Sequence, residues 1–285
     1  MIIGVNLNEA KSPAVGKDSI ATIPLSAQKS SCLASYWPYV VFQGTDGQLI
    51  EARNVFGQAN PYAPSAQWTS RSLGIATLSG SSIALVPLST NFTYIANHGG
   101  YGLVYQGVDG RLAVEIPDQD SSASTNQTQS WPTGRSLSSS FSSIYSSFGR
   151  RTHTNLLEAA GAFPDITLPN NTAIAAFSTS RPSDKQNRVN TYILYQTAGG
   201  AIDMVWVDDG TGWKTSSPSA LANADSGTSI ACLTMPTSAF DSSGLQVVLE
   251  AASSETRCYF QNGGAVHEVV LSGTDWVELG TLPIP

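Results

Sequence analysis

Basic residues are scarce in this chain: 14 Lys and Arg stand against 21 Asp and Glu among 285 residues, a formal net charge of −7. A nucleic-acid binder needs a basic face to neutralise phosphates and release counterions, and no basic block is present. The same shortage argues against an anionic membrane surface as partner. No run of about 18 apolar residues occurs, so no helical membrane span is expected. Only three cysteines are present, Cys32, Cys232 and Cys258, without a CxxC. That excludes a dense disulfide framework and a cysteine-type zinc site. Two arrangements stay open: one bridge, Cys232 to Cys258, with Cys32 free, or three free thiols.

Catalytic signatures are missing too. There is no GxSxG elbow, and the three histidines lie far apart with no HExxH or paired-His spacing, so no metal is expected. Neither a GxGxxG nor a Walker loop occurs, and a bound cofactor is not expected. GTDG (44–47) and GTDW (273–276) lack the sialidase Asp-box pattern and read as turns. Helical periodicity is nearly absent; only residues 155–160 could form a turn.

What the sequence does contain is a repeat. Four segments read as equivalent first strands: SIATIPLS (19–26), SIALVPLS (82–89), AIAAFSTS (173–180) and SIACLTMP (229–236). Each is followed by a second strand, in VVFQGTDG (40–47), LVYQGVDG (103–110), ILYQTAGG (193–200) and CYFQNGG (258–264). Third strands follow as LIEA (49–52), LAVE (112–115), IDMV (202–205) and VHEV (266–269), and each unit closes on a tryptophan, Trp68, Trp131, Trp213 or Trp276. Gln43 to Gln106, Trp68 to Trp131 and Trp213 to Trp276 are each 63 residues apart. Apolar β-formers with Asp-Gly, Gly-Gly or Asn-Gly turns between second and third strands are antiparallel hairpin chemistry.

Four short strands per unit, with a tryptophan to sit between neighbours, predict an all-β fold: a single β-propeller domain over 1–285. Five four-stranded antiparallel blades are expected, at approximately 19–74, 81–138, 142–168, 173–221 and 229–285. The one at 142–168 is degenerate and lacks its tryptophan. Six are expected if LQVVLEAAS (245–253) belongs to an extra strand set. IIGVNL (2–7) is expected to complete the last blade and close the ring.

These strand signatures resemble the blades of fungal fucose-specific lectins over most of the chain. In that family an arginine early in the second strand and a glutamate in the third hold fucose between blades, and an aromatic ring covers its apolar face. The resemblance places the pair at Arg257 and Glu268 in the last unit. At the other arginine positions stand Tyr39, Gly102 and Tyr192. Glu51 keeps the acid position of the first unit, while Val114 and Met204 replace it in two others.

The eroded sugar positions also resemble an offshoot of this fold, the hetero-Diels–Alderases of fungal tropolone-sesquiterpene pathways. That likeness implies a cofactor-free cyclase joining a tropolone quinone methide to a humulene-type alkene. Such an enzyme would hold two apolar small molecules in near-attack geometry and donate to a developing oxygen. The candidate donors are His98, Arg151, His153 and Tyr39. Tyr36, Trp37, Phe56, Tyr62 and Tyr192 are candidates for the substrate wall, with strand packing as the alternative for the first cluster. The other reading is a glycan-binding lectin of low valency centred on Arg257 and Glu268; a propeller serving only protein interaction is a third. A homo-oligomer is compatible with each.

Three glycosylation sequons begin at Asn91, Asn126 and Asn170. With the low Lys content they lead to the expectation of a secretory-pathway or extracellular protein. The first residues, Met1-Ile-Ile, show no signal-peptide pattern.

Overall fold

Turn chemistry sets the spacing of the strands. In the computed structural model, which describes residues 26–36, 39–54, 68–88, 101–115, 163–181, 189–208, 212–233, 239–240, 246–247 and 256–282, the Asp46-Gly47 turn joins β2 (Tyr39–Gln43) to β3 (Gln48–Asn54). Gly47 takes φ +77°, a value that favours glycine, and the Asp46 carboxylate accepts from the Gln48 amide at 3.0 Å. With β1 (Leu33–Tyr36) and β4 (Trp68–Ala76) this hairpin forms an antiparallel sheet in the order β1-β2-β3-β4.

The same unit recurs. The second sheet is β5 (Ile83–Pro87), β6 (Tyr101–Gln106) and β7 (Leu112–Glu115), turned at Asp109-Gly110 in the same manner. The third is β8 (Ile174–Ser180), β9 (Val189–Gln196), β10 (Ile202–Val207) and β11 (Lys214–Ser216). In the fourth, β12 (Ala231–Cys232) pairs β15 (Arg257–Asn262), followed by β16 (Ala265–Ser272) and β17 (Asp275–Leu282). No described residue is α-helical; the exception to strand and turn is a short 3-10 turn, Ser219–Leu221.

The first strands β1, β5, β8 and β12 touch in that order, and apolar side chains fill each gap between sheets. Four blades of a β-propeller are thus described, each burying one face against the next. A fully buried Leu or Ile in such a gap contributes about 1.5–3 kcal/mol. Two of the tryptophans reach back to the preceding blade: Trp276 meets the Phe177 ring edge-on at 5.9 Å, and Trp213 meets Phe163 edge-on at 4.8 Å.

The recurring glutamine reaches the other way. Gln43 Nε2 donates to the Thr77 hydroxyl at 2.8 Å and to the Thr77 and Leu78 carbonyls at 3.2 Å, while its Oε1 accepts from the Gly80 amide. Gln106 donates to the carbonyls of Leu168 and Pro169, and Gln196 to that of Asp225. Each glutamine therefore satisfies the backbone of the segment that leads into the following blade.

Three expectations are corrected. The strand paired with β2 is β1 at 33–36, in the register Leu33 to Phe42, rather than 19–26. Residues 19–25 lie outside the described residues, but Ala27 bridges Gly44 as Thr77 bridges Gly107. The first segment thus ends where a fourth strand ends. Secondly, residues 163–168 belong to the edge of the second blade and not to a separate blade at 142–168. Leu112 N donates to Ile166 O and Leu168 N to Gly110 O, both at 2.9 Å, and the second and third sheets share one core. The extra length of this unit falls between Glu115 and Phe163, outside the described residues. Thirdly, the 245–253 stretch contributes β14 (Gln246–Val247), which pairs β13 (Ala239–Phe240) as a two-stranded hairpin inserted between β12 and β15, not as a further blade.

Cys232 and Cys258 face each other across β12 and β15 and form a disulfide, and Cys32 is free.

Candidate functional site

On β15 and β16 alternation separates two faces. Cys258, Phe260, Val269 and Leu271 turn into the core shared with the third blade, which leaves Arg257, Tyr259 and Glu268 on the opposite face. Tyr259 and Glu268 are direct partners in register, and Arg257 is the diagonal neighbour. Arg257 Nη1 stands 2.6 Å from Glu268 Oε1, and the Tyr259 hydroxyl donates to the same oxygen at 3.0 Å. The Arg257 side chain is 41% exposed and that of Glu268 18%. The Arg257 hydrogen bond, then that of Tyr259, holds the Glu268 carboxyl below its ordinary pKa. Desolvation first, then the hydrogen bond to Glu268, raises that of Tyr259.

The first blade holds a second version of this arrangement. Glu51 faces Val41 as Glu268 faces Tyr259, so the two carboxylates occupy one register position in different blades. Tyr39 takes the place that Arg257 fills in the fourth blade, yet Glu51 does not lack an arginine. Arg71, its register partner on β4, brings Nε to 2.9 Å from Glu51 Oε1. The other carboxylate oxygen accepts from the hydroxyl of Tyr101, on β6 of the next blade. Burial foremost, then the Glu51 charge, pushes the Tyr101 pKa well up. Glu51 and Tyr101 are both buried. This cluster closes the gap between two blades instead of opening a pocket. Arg71 was not among the expected site residues.

Tyr36 and Tyr39 are buried in the core between the first and second blades, and the Tyr39 ring lies 4.9 Å from that of Tyr101. Tyr192 stacks on Phe177 at 4.9 Å in the core between the third and fourth. The expectation that these rings form a substrate wall, with Tyr39 also a donor, is therefore corrected: their faces are spent on packing. His98, Arg151, His153, Trp37, Phe56 and Tyr62 lie outside the described residues, as do Asn91 and Asn126. Asn170 is exposed in the turn ahead of β8. Among the described residues no group of three or more His, Cys, Asp or Glu is placed to hold a metal ion.

Neither a protein-family model nor a curated protein matches the sequence. Solved structures do match in shape. AofleA from Arthrobotrys oligospora superposes with a TM-score of 0.54 at 17% identity, over 90% of this chain and 58% of that one. The fucose-specific lectin from Aleuria aurantia, described as a six-bladed β-propeller, gives 0.52 at 16% identity, over 92% of this chain and 67% of the lectin. The fold is a fucose-lectin-like β-propeller. The chain spans little more than half the length of AofleA.

Proposed function

We propose that the chain is a saccharide-binding lectin of low valency, with its site at Arg257, Tyr259 and Glu268. The observation that carries this reading is the 2.6 Å guanidinium–carboxylate contact on a partly open sheet face. An exposed ion pair of this kind contributes little to stability, so the fold has little need of it. A guanidinium offers five N–H donors and a carboxylate about four lone-pair sites, so the pair can bracket adjacent hydroxyls of a monosaccharide. Tyr259 fixes the carboxylate. The matched structures include a fucose-specific lectin, which makes fucose the first ligand to try. Low valency is supported by the other described blades: Val114 and Met204 stand at two acid positions, and Glu51 is occupied by Arg71 and Tyr101.

Calorimetry with L-fucose and a broad glycan array test the reading. The expected result is binding between millimolar and micromolar strength that Arg257→Ala abolishes while the circular dichroism spectrum is unchanged. A blank array, or full binding by the Arg257→Ala variant, overturns it.

Among the described residues the pericyclic alternative has no comparable observation behind it, since Tyr36, Tyr39 and Tyr192 are core residues. A secretory route is part of the proposal. The Cys232–Cys258 bridge supports it, because such bonds persist in oxidising compartments, and so does the exposed Asn170 sequon. A mass shift on glycosidase treatment of protein from a eukaryotic host checks it.

A further inference from the structure

The gap between the first and second blades contains more than the Glu51 cluster. Tyr101 and Tyr105 point from β6 into the same gap; the first donates to Glu51, the second to Glu115 at 3.2 Å. Glu115 is 3% exposed, and its Oε2 has no hydrogen-bond partner. Leaving a buried carboxyl oxygen unpaired forfeits its hydration without return, so the arrangement calls for an explanation.

A cavity of about 280 Å³ lies against this carboxyl. Its apolar walls are Ile75 from the first blade, Leu112 and Ala113 from the second, and the segment Phe163–Pro164. Charged groups stand at its mouth: Arg111 lies 2.6 Å from Asp165 and 3.8 Å from Asp109. Two carboxylates thus share one guanidinium, and the rim carries a net negative charge. The register places Glu115 opposite Leu103, one residue beyond the Val114 position that corresponds to Glu51. It therefore belongs to the other face of its sheet and is separate from the saccharide position.

We propose that this cavity binds a small organic cation, an ammonium group carried on a compact apolar body, with the Glu115 side chain turning its unpaired Oε2 to accept from the ammonium and Phe163 and Ile75 enclosing the body. The acidic rim attracts the positive charge, the walls remove apolar surface from water, and the unpaired oxygen gains its missing partner. At this volume the ligand has one ring or a short chain, at the small end of ligand pockets.

The charge change accompanies binding. Burial pushes the Glu115 carboxyl up to about 8, with the Tyr105 hydrogen bond opposing, so at neutral pH the empty site holds a proton. The other charged groups facing the cavity are Arg111, Asp109 and Asp165; Arg71 and Glu51 lie farther along the gap, paired to each other. When the ammonium enters, the carboxyl ionises and its proton passes to solvent.

Benzylamine and its neutral counterpart benzyl alcohol are suitable probes. Calorimetry at pH 7 in phosphate and in Tris should show release of about 0.9 proton per benzylamine, and affinity should rise about fiftyfold from pH 6 to pH 8. Benzyl alcohol should bind at least tenfold more weakly at pH 8. Glu115→Gln should abolish proton release and flatten the pH dependence, and Phe163→Ala should weaken binding without altering proton release. Equal affinity for the two probes, no benzylamine binding at millimolar concentration, or unchanged proton release in folded Glu115→Gln overturns the proposal.

Discussion

Gln43 on β2 and Thr77 at the end of β4 are 34 residues apart, yet the side-chain amide of the first donates to the hydroxyl of the second at 2.8 Å. Both are buried, and the same amide serves two further carbonyls. Substituting Gln43 by Met keeps the bulk and strands those backbone groups, at an expected cost of about 2–4 kcal/mol in urea denaturation. Gln106→Met should cost less, because Gln106 Oε1 has no partner and its removal relieves a penalty. Equal costs for the two would contradict this account of the bonds.

The disulfide gives a second prediction. It closes a segment with a sequence separation of 26, for which chain entropy gives about 3.5 kcal/mol. The double variant Cys232→Ser, Cys258→Ser should lose about 2–4 kcal/mol in chemical denaturation. Cys32→Ser, which removes a free thiol, should lose less than 1.

Glu51 ties two blades together through Arg71 and Tyr101. Arg71→Ala leaves a buried carboxylate with one partner fewer. Because the arginine is 31% exposed, the expected loss is about 1–3 kcal/mol, below that for a fully buried pair. Tyr101→Phe and Arg71→Ala should couple in a double-mutant cycle by at least about 0.5 kcal/mol, since both groups bond one carboxylate. Additive losses would show that the cluster is not a unit.

Saccharide binding should depend on pH in a definite direction. Arg257 and Tyr259 hold the Glu268 carboxyl below its ordinary value, so the ionised form persists below about pH 4.3, where a free Glu is half protonated. Affinity should stay flat from neutral pH down to that region and fall beneath it. A decline that begins near neutrality in a fluorescence titration would mean another group controls the site.

Glu115 has the opposite sign. Its folded-state pKa of about 8 lies above the ordinary 4.5, so between those values the folded state holds more protons than the unfolded one. Stability from this group is then full below about pH 4.5 and declines as pH rises through 8, by on the order of 4–5 kcal/mol. Glu115→Gln should remove that decline and be more stable than the parent at pH 9 in thermal melts. A parent protein whose stability at that pH equals its variant's would contradict a buried, protonated carboxyl.

Much of this was legible in the sequence, for a physical reason. Glycine-bearing turns and period-2 strands fix spacing locally, so counting from Gln261 brings Arg257 and Glu268, which meet in the structure, into one pair. Arg71 was hidden because the β3–β4 connection is long, and nothing in its composition sets the register that places Arg71 opposite Glu51. The first-strand error at 19–26 has a similar origin. That segment copies 82–89 and stands at the same distance from its glutamine, and alternation alone cannot decide which of two candidate strands pairs with β2. Tyr36, Tyr39 and Tyr192 drew attention as aromatics, but only the stacking of one blade on the next shows that their faces are already covered. Glu115 is not legible from the repeat, because it lies one residue past the acid position at Val114 and a shift of one residue turns a side chain to the other face of the sheet.

The opposed reach of the glutamines and tryptophans has a consequence for how such a chain can change length. Gln196 grips the backbone ahead of the next blade, while Trp276 lies against Phe177 and Met204 of the one before. The junctions of the second blade with the third and of the third with the fourth are two-way handshakes, with one hand offered from each side. Deleting part of a period would leave a hand extended to nothing on both flanks. A full 63-residue step, from Gln43 to Gln106, restores both grips at once. Growth or shrinkage of this chain by whole periods is therefore the tolerated path, and loops such as the one carrying β13 and β14 are where smaller insertions can be absorbed.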